Sequence, residues 1–218
     1  MNVVKREETF AHWYRRAVHS FGATFLIYYL LPDVDWISIT KTTVVISLII
    51  FFVIIETMRI RKLIVNHCIF GLRSYEENRF GSYLYFGIGV AVLLIVFPQQ
   101  IAIPSILCAA FADPFIGEMH IRVGNIFMYL SGFILCFFFF YIVWYAAPFP
   151  FQITAPVIGA IGAVVGEIKK FTWIDDDLLI QLLPAILLGV LYFLTSWQGI
   201  PFLPDTVIHP LSLSSWLV

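Results

Sequence analysis

Charge is scarce in this chain: only 12% of its 218 residues are Asp, Glu, Lys or Arg, while 61% are hydrophobic. Soluble domains carry roughly twice that charged fraction. A water-exposed globular fold is therefore excluded and an integral membrane protein indicated. Cysteine is also rare. Cys68, Cys108 and Cys136 are odd in number and at least two lie in apolar runs, where they behave as small hydrophobes. Neither a disulfide nor a thiolate metal site is expected. No Gly-x-x-x-x-Gly-Lys-Ser/Thr loop, kinase catalytic loop, Gly-x-Ser-x-Gly elbow or His-Glu-x-x-His occurs, which excludes the usual soluble nucleotide folds. The N-terminal stretch carries Lys5, Arg6, Glu7, Glu8, Arg15 and Arg16 without a continuous apolar core, so no cleavable signal peptide is expected.

What is abundant is long apolar sequence, including 22 Phe. Each crossing needs roughly 20 apolar residues, and stretches bounded by charge or proline predict helices at 21–38, 40–58, 82–98, 100–112, 124–147, 150–168 and 177–197. The expected fold is an all-α, polytopic membrane bundle of about seven transmembrane helices in one domain spanning 1–218. The tail after 197 is left unassigned, with His209 and Trp216 suggesting an interfacial segment. Of the 13 Lys and Arg residues, all but Lys41 fall on one face of this arrangement. They are Lys5, Arg6, Arg15, Arg16, Arg59, Arg61, Lys62, Arg73, Arg79, Arg122, Lys169 and Lys170. A basic excess marks the cytoplasmic side, so the N-terminus and any polar chemistry are expected to face the cytoplasm.

Carboxylates on that face need a separate explanation, because acidic residues contribute little to topology. Glu56, Glu76, Glu77, Asp113, Glu118, Glu167, Asp175, Asp176 and Asp177 all fall there. Each has an ordinary reading. Asp113-Pro114 suits a helix start, the Asp175 to Asp177 triplet suits an acidic first turn, and Glu56 with Arg59 suits a pair on one helix face. Gly159, Gly162, Ala163 and Gly166 suit close helix packing. Basic clusters alone suit anchoring to anionic headgroups. Together, however, oxygen ligands for Mg²⁺ and cations for phosphate oxygens are what phosphoryl transfer from a nucleotide requires.

Several ordered segments resemble the CTP-dependent lipid kinases, the group containing dolichol kinase, phytol kinase and the yeast-type diacylglycerol kinase. Arg15-Arg16-Ala17-Val18-His19 resembles the family's Arg-Lys-x-x-His opening, and Glu56-Thr57-Met58-Arg59 its Glu-x-x-Arg. Arg73 through Glu76 to Gly81-Ser82 is similar to its Arg-x-x-Glu…Gly segment. Leu94 to Pro98 followed by Ile101 to Asp113-Pro114 is similar to its Leu-Phe-Pro…Gly-Asp-Pro/Ala block. Glu167 with Asp175-Asp176-Asp177-Leu178 resembles its Glu…Asp-Asn. Two departures stand out. Gly117 and Gly124 do not keep the family's glycine spacing after the aspartate, and residues 124–134 lack its Lys-Ser/Thr-x-Glu-Gly segment. Arg122, Lys169 and Lys170 are the cations available in its place.

The resemblance implies transfer of the γ-phosphoryl group of CTP, or another nucleoside triphosphate, to the hydroxyl of a polyprenol, phytol-like alcohol or diacylglycerol. It implies Asp113, Glu118 and Glu167 as catalytic residues, with Asp113, Glu167, Asp175, Asp176 and Asp177 as Mg²⁺ ligands. Arg15, Arg16, His19, Arg59, Arg61, Lys62, Arg73, Gly117, Lys169 and Lys170 are then the nucleotide and phosphate contacts. Synthesis of a CDP-lipid, as in the related phosphatidate cytidylyltransferases, is the alternative chemistry, although their Gly-His-Gly-Gly element is absent. A catalytically dead homologue is a further alternative. A transporter would place charge in mid-helix, whereas here charge gathers at one face.

Overall fold

The computed structural model describes residues 13, 16–64, 76, 78–168 and 175–212. Among these, all regular structure is helical. Residues 16–21 are α-helical and continue into a 3₁₀ segment, Gly22–Tyr29. Seven α-helical stretches follow: α1 Asp35–Ile60, α2 Ser82–Val96, α3 Gln99–Leu107, α4 Asp113–Val123, α5 Asn125–Trp144, α6 Phe151–Ile168 and α7 Asp176–Trp197. A π-helical turn, Cys108–Ala112, joins α3 to α4 without a break. Five helical spans are long and apolar enough to cross a membrane: Asp35–Ile60, Gln99–Met119, Asn125–Trp144, Phe151–Ile168 and Asp176–Trp197. The 15-residue helix α2 is apolar but shorter. The protein is thus a helical membrane protein by the length and composition of its helices.

The first third departs from expectation. Instead of helices at 21–38 and 40–58, the chain forms the short 3₁₀ segment, breaks through Pro32, and starts a single 26-residue helix at Asp35. Proline has no N–H to continue a helix, and Asp35 in the first turn suits the helix dipole. The stretch 100–112 also differs, since it does not end at Asp113 but runs through it. Nor is Asp113 the N-cap: it is the first residue of α4, and Ala112 holds the cap position.

Three prolines lie inside helices, and one shows how the bundle absorbs the loss. Pro104 has no N–H to offer the carbonyl of Gln100, four residues earlier. The Trp144 indole Nε1 donates to that carbonyl instead, at 2.9 Å, joining α5 to α3. Trp144 is fully buried and sits edge-on to Phe202 of the tail. The tail closes this end of the bundle. Gln100 donates to the Pro204 carbonyl at 2.9 Å, Gln99 exchanges bonds with Ile208, and Leu211 donates to Leu30 at 2.9 Å.

At α6 and α7 the small-residue face packs backbone to backbone. A Cβ on Gly162 would lie 2.8 Å from the Pro184 Cα, and one on Gly166 would lie 2.7 Å from the Leu179 carbonyl. This contact brings the C-terminal end of α6 against the first turns of α7. Helix α1, by contrast, stands at the periphery with α2 as its main neighbour. Ile46, Ile50, Phe51 and Ile54 remain exposed on it, a surface suited to lipid.

Candidate functional site

The end of the bundle opposite the tail gathers the carboxylates. Asp113 comes from the start of α4, Glu167 from the end of α6, and Asp176 and Asp177 from the first turn of α7. Glu167 lies within electrostatic reach of Asp113, Asp176 and Asp177. The Glu167 Oε2 atom is buried with no hydrogen-bond partner. Candidate ligand atoms of His19, Asp113 and Asp177 lie within 4.8 Å of one another, as do those of Asp175, Asp176 and Asp177.

His19 links these helices. Its Nδ1 lies 3.3 Å from Asp113 Oδ2 and its Nε2 3.7 Å from Asp177 Oδ2. The same Nδ1 is 3.4 Å from the Ala109 carbonyl in the π turn. That carbonyl stands where Pro114 breaks the helical ladder, because in the π register position 114 would be its donor. The imidazole is 4% exposed and tilted against Phe86, at 4.9 Å between ring centres.

Asp175 is compensated by the protein itself. One oxygen accepts from the Asp177 N–H at 3.2 Å, capping α7, and the other accepts from Arg79 Nη2 at 2.9 Å. Burial, and then the negative Asp177 and Asp176, push its carboxyl up to about 7 even with the hydrogen bond from the Asp177 backbone opposing them. Gln181, one turn into α7, donates to the carbonyls of Asp177 at 2.8 Å and Phe86 at 3.1 Å, tying this end of α7 to α2.

The remaining expected residues fall elsewhere. Arg16 and Arg122 both pair with Glu118, which leaves Glu118 in an ion-pair group of its own further along α4. Gly117 is exposed on α4, with no atom within 4 Å of where its Cβ would stand. Arg61 and Lys62 are exposed at the end of α1. Arg59 differs from the phosphate contact expected of it, since it turns inward. It is 4% exposed and donates to Glu56 and to the carbonyls of Glu76 and Arg79, so a soluble ligand does not reach it. Arg15, Arg73, Lys169 and Lys170 lie outside the described residues. Cys108 and Cys136 are buried free thiols, and Cys68 falls outside the described residues.

Beside the carboxylates opens a cavity of about 1010 Å³, bounded by the 18–32 segment, α1 and α2. His19, Glu76 and Ser82 line it at the carboxylate end, and Trp36, Thr40 and Lys41 at the other. Its walls are apolar. The lining residues of α1 recur every three or four positions between Trp36 and Phe52, a rise of roughly 24 Å at about 1.5 Å per residue. At its far end the Lys41 ammonium lies over the Tyr28 ring at 4.7 Å and 3.5 Å from Asp33.

Two residues of this region escaped the sequence reading. Arg79 was legible only as one cation among several, since its partner is 96 positions away. Gln181 sits in an apolar run with no local signal beyond being the polar residue in it. No protein-family model, curated protein or solved structure matches the chain.

Proposed function

We propose that this protein is a membrane lipid kinase, transferring the terminal phosphoryl group of CTP or another nucleoside triphosphate to the hydroxyl of a long-chain lipid alcohol. The observation that carries this reading is the double position of His19. It lines the apolar cavity and also touches Asp113 and Asp177 of the carboxylate group. An alcohol whose chain lies along the cavity would present its hydroxyl beside those oxygens. Alignment of acceptor and donor supplies most of the catalysis in phosphoryl transfer.

The residues fit a divalent cation of the Mg²⁺ type. Oxygen donors from three helix ends converge, one carboxylate oxygen is buried without a partner, and hard cations prefer such donors. Asp113, Glu167, Asp176 and Asp177 would hold it, and Asp175 would act through its bonds to Arg79 and the α7 backbone. When bound, the ion supplies positive charge to the phosphate oxygens. The chain's own work is to orient and exclude. His19 fixes Asp113 relative to Asp177, and the close α6–α7 contact sets Glu167 beside them. The hydroxyl oxygen forms the new bond to phosphorus, the bond to the β-phosphate oxygen breaks, and nucleoside diphosphate leaves. The hydroxyl proton passes to a carboxylate oxygen of this group.

The test is incubation of purified protein with Mg²⁺, a panel of lipid alcohols together with a phosphatidate, and CTP, ATP, GTP or UTP labelled at either the α- or the γ-phosphate. The kinase reading expects γ-label in the organic phase and α-label in the aqueous phase. α-Label in the lipid would instead establish cytidylyl transfer, and label in neither would overturn both chemistries.

A further inference from the structure

A second polar assembly adjoins the carboxylate group and is buried almost completely. Glu56, Arg59 and Glu76 are 0%, 4% and 1% exposed. All three act on the backbone of one short segment. Arg59 Nη2 donates to the carbonyls of Glu76 at 3.1 Å and Arg79 at 2.5 Å, while Glu56 Oε1 accepts from the Gly81 N–H at 2.5 Å. Glu76 Oε1 accepts from the Ser82 N–H at 3.1 Å. Arg59 also pairs directly with Glu56 on its own helix. Burying an ion pair costs desolvation that hydrophobic residues would avoid, so its return lies in the geometry it imposes. Here that geometry belongs to the segment from Glu76 to Ser82.

This segment presents one exposed cation toward the site. Its carbonyl gripped by Arg59, Arg79 extends its side chain to Asp175, where Nη2 meets Oδ2 at 2.9 Å. The side chain is 39% exposed, against 2% for Arg59. Asp175 is anchored in turn by the Asp177 N–H. Arg79 is thus fixed at its backbone by α1 and at its guanidinium by the α7 cap, next to the carboxylates and still open to water. Glu76 and Ser82 at the two ends of the segment line the cavity.

We infer that Arg79 contacts the polyphosphate of the nucleotide donor, and that Glu56, Arg59 and Glu76 are positioning residues that hold it there. The inference rests on the kinase reading. A guanidinium recognises phosphate oxygens through two parallel N–H bonds, and a pre-organised one loses little freedom in doing so. A group of carboxylates alone would repel a triphosphate, so a fixed cation at its edge is the complementary element. Arg16 and Arg122 are already shared by Glu118.

The experiment uses the full chain in detergent micelles and separates ion from nucleotide. Mn²⁺ binding is followed by electron paramagnetic resonance, and CTP binding in saturating Mn²⁺ by equilibrium dialysis. Arg79→Gln should weaken CTP binding by about tenfold while shifting Mn²⁺ affinity less than about twofold, with Arg79→Lys in between. Arg59→Lys, which keeps the charge and loses the fork, should weaken CTP and spare Mn²⁺ in the same way. Unchanged CTP affinity in Arg79→Gln, with wild-type protein binding CTP, would overturn the inference and leave the kinase reading standing. Equal loss of Mn²⁺ and CTP would reduce Arg79 to a structural role and overturn it also. Wild-type protein that binds Mn²⁺ but no nucleotide of the four would overturn both.

Discussion

Replacing Gly166 with alanine places one methyl group against the backbone of the neighbouring helix. The new Cβ would lie 2.7 Å from the Leu179 carbonyl carbon and oxygen and 2.8 Å from the Ile180 nitrogen. Ordinary contacts between such atoms are about 3.5–4.0 Å, so α6 and α7 must part locally by roughly 1 Å. These are main-chain atoms in the first turns of α7 and cannot swing aside as a side-chain tip would. Overpacking of this kind costs about 1–3 kcal/mol. For a chain of this size that lowers the unfolding midpoint by roughly 2–4 °C per kcal/mol. The strain falls next to Glu167 and two residues after Asp177, so Mn²⁺ affinity should drop several-fold along with stability. Gly117→Ala is the matched control. It is exposed on α4, with no atom within 4 Å of where its Cβ would stand, and should gain about 0.5–1 kcal/mol by restricting the unfolded chain. The assay is thermal unfolding in detergent, with Mn²⁺ binding by paramagnetic resonance. A Gly166→Ala protein that melts and binds Mn²⁺ as wild type does would refute the idea that close approach of α6 and α7 builds the site.

Three further outcomes follow from the same geometry. Glu56→Gln should lose about 3–5 kcal/mol, because it leaves the Arg59 charge buried without its partner; denaturant unfolding measures this. In chelator, stability should fall as pH rises from 5 to 8. The folded-state carboxyl of Asp175 is raised from 3.8 to about 7, so its favourable contribution is complete below 3.8 and is lost as pH climbs through 7; midpoints across a pH series would show the opposite slope if this assignment were wrong. Narrowing the cavity with Leu48→Trp should raise the KM for a lipid alcohol while leaving CTP affinity unchanged, and steady-state kinetics with both substrates separates the two.

Much of the architecture was readable because a membrane imposes long apolar runs. Helices α5, α6 and α7 fall within a few residues of the stretches expected for them, and proline or charge marks their ends. The first third was harder for a physical reason. A 3₁₀ segment and an α-helix present the same apolar composition, and Asp33 and Asp35 read equally as a turn or as a helix start. The π turn before Asp113 left no trace in periodicity, since it shifts the register by one residue within an unbroken apolar run. At the site, residue types were legible and their grouping only partly so. Asp113, Glu167 and Asp177 could be placed at one membrane face from topology. That His19 would lie between Asp113 and Asp177, and that Arg59 would turn inward while Arg79 reached Asp175, depends on contacts between distant segments.

The central claim is that the carboxylates of α4, α6 and α7 act on a hydroxyl delivered by the apolar cavity. The most direct measurement is transfer of γ-labelled phosphate from CTP to a long-chain lipid alcohol by purified protein with Mg²⁺, comparing wild type with Asp113→Asn and Asp177→Asn. The account predicts labelled lipid from wild type and at least a hundredfold less from either variant, the order of loss expected when a group stabilising the developing charge is removed. Undiminished transfer by both variants would contradict it.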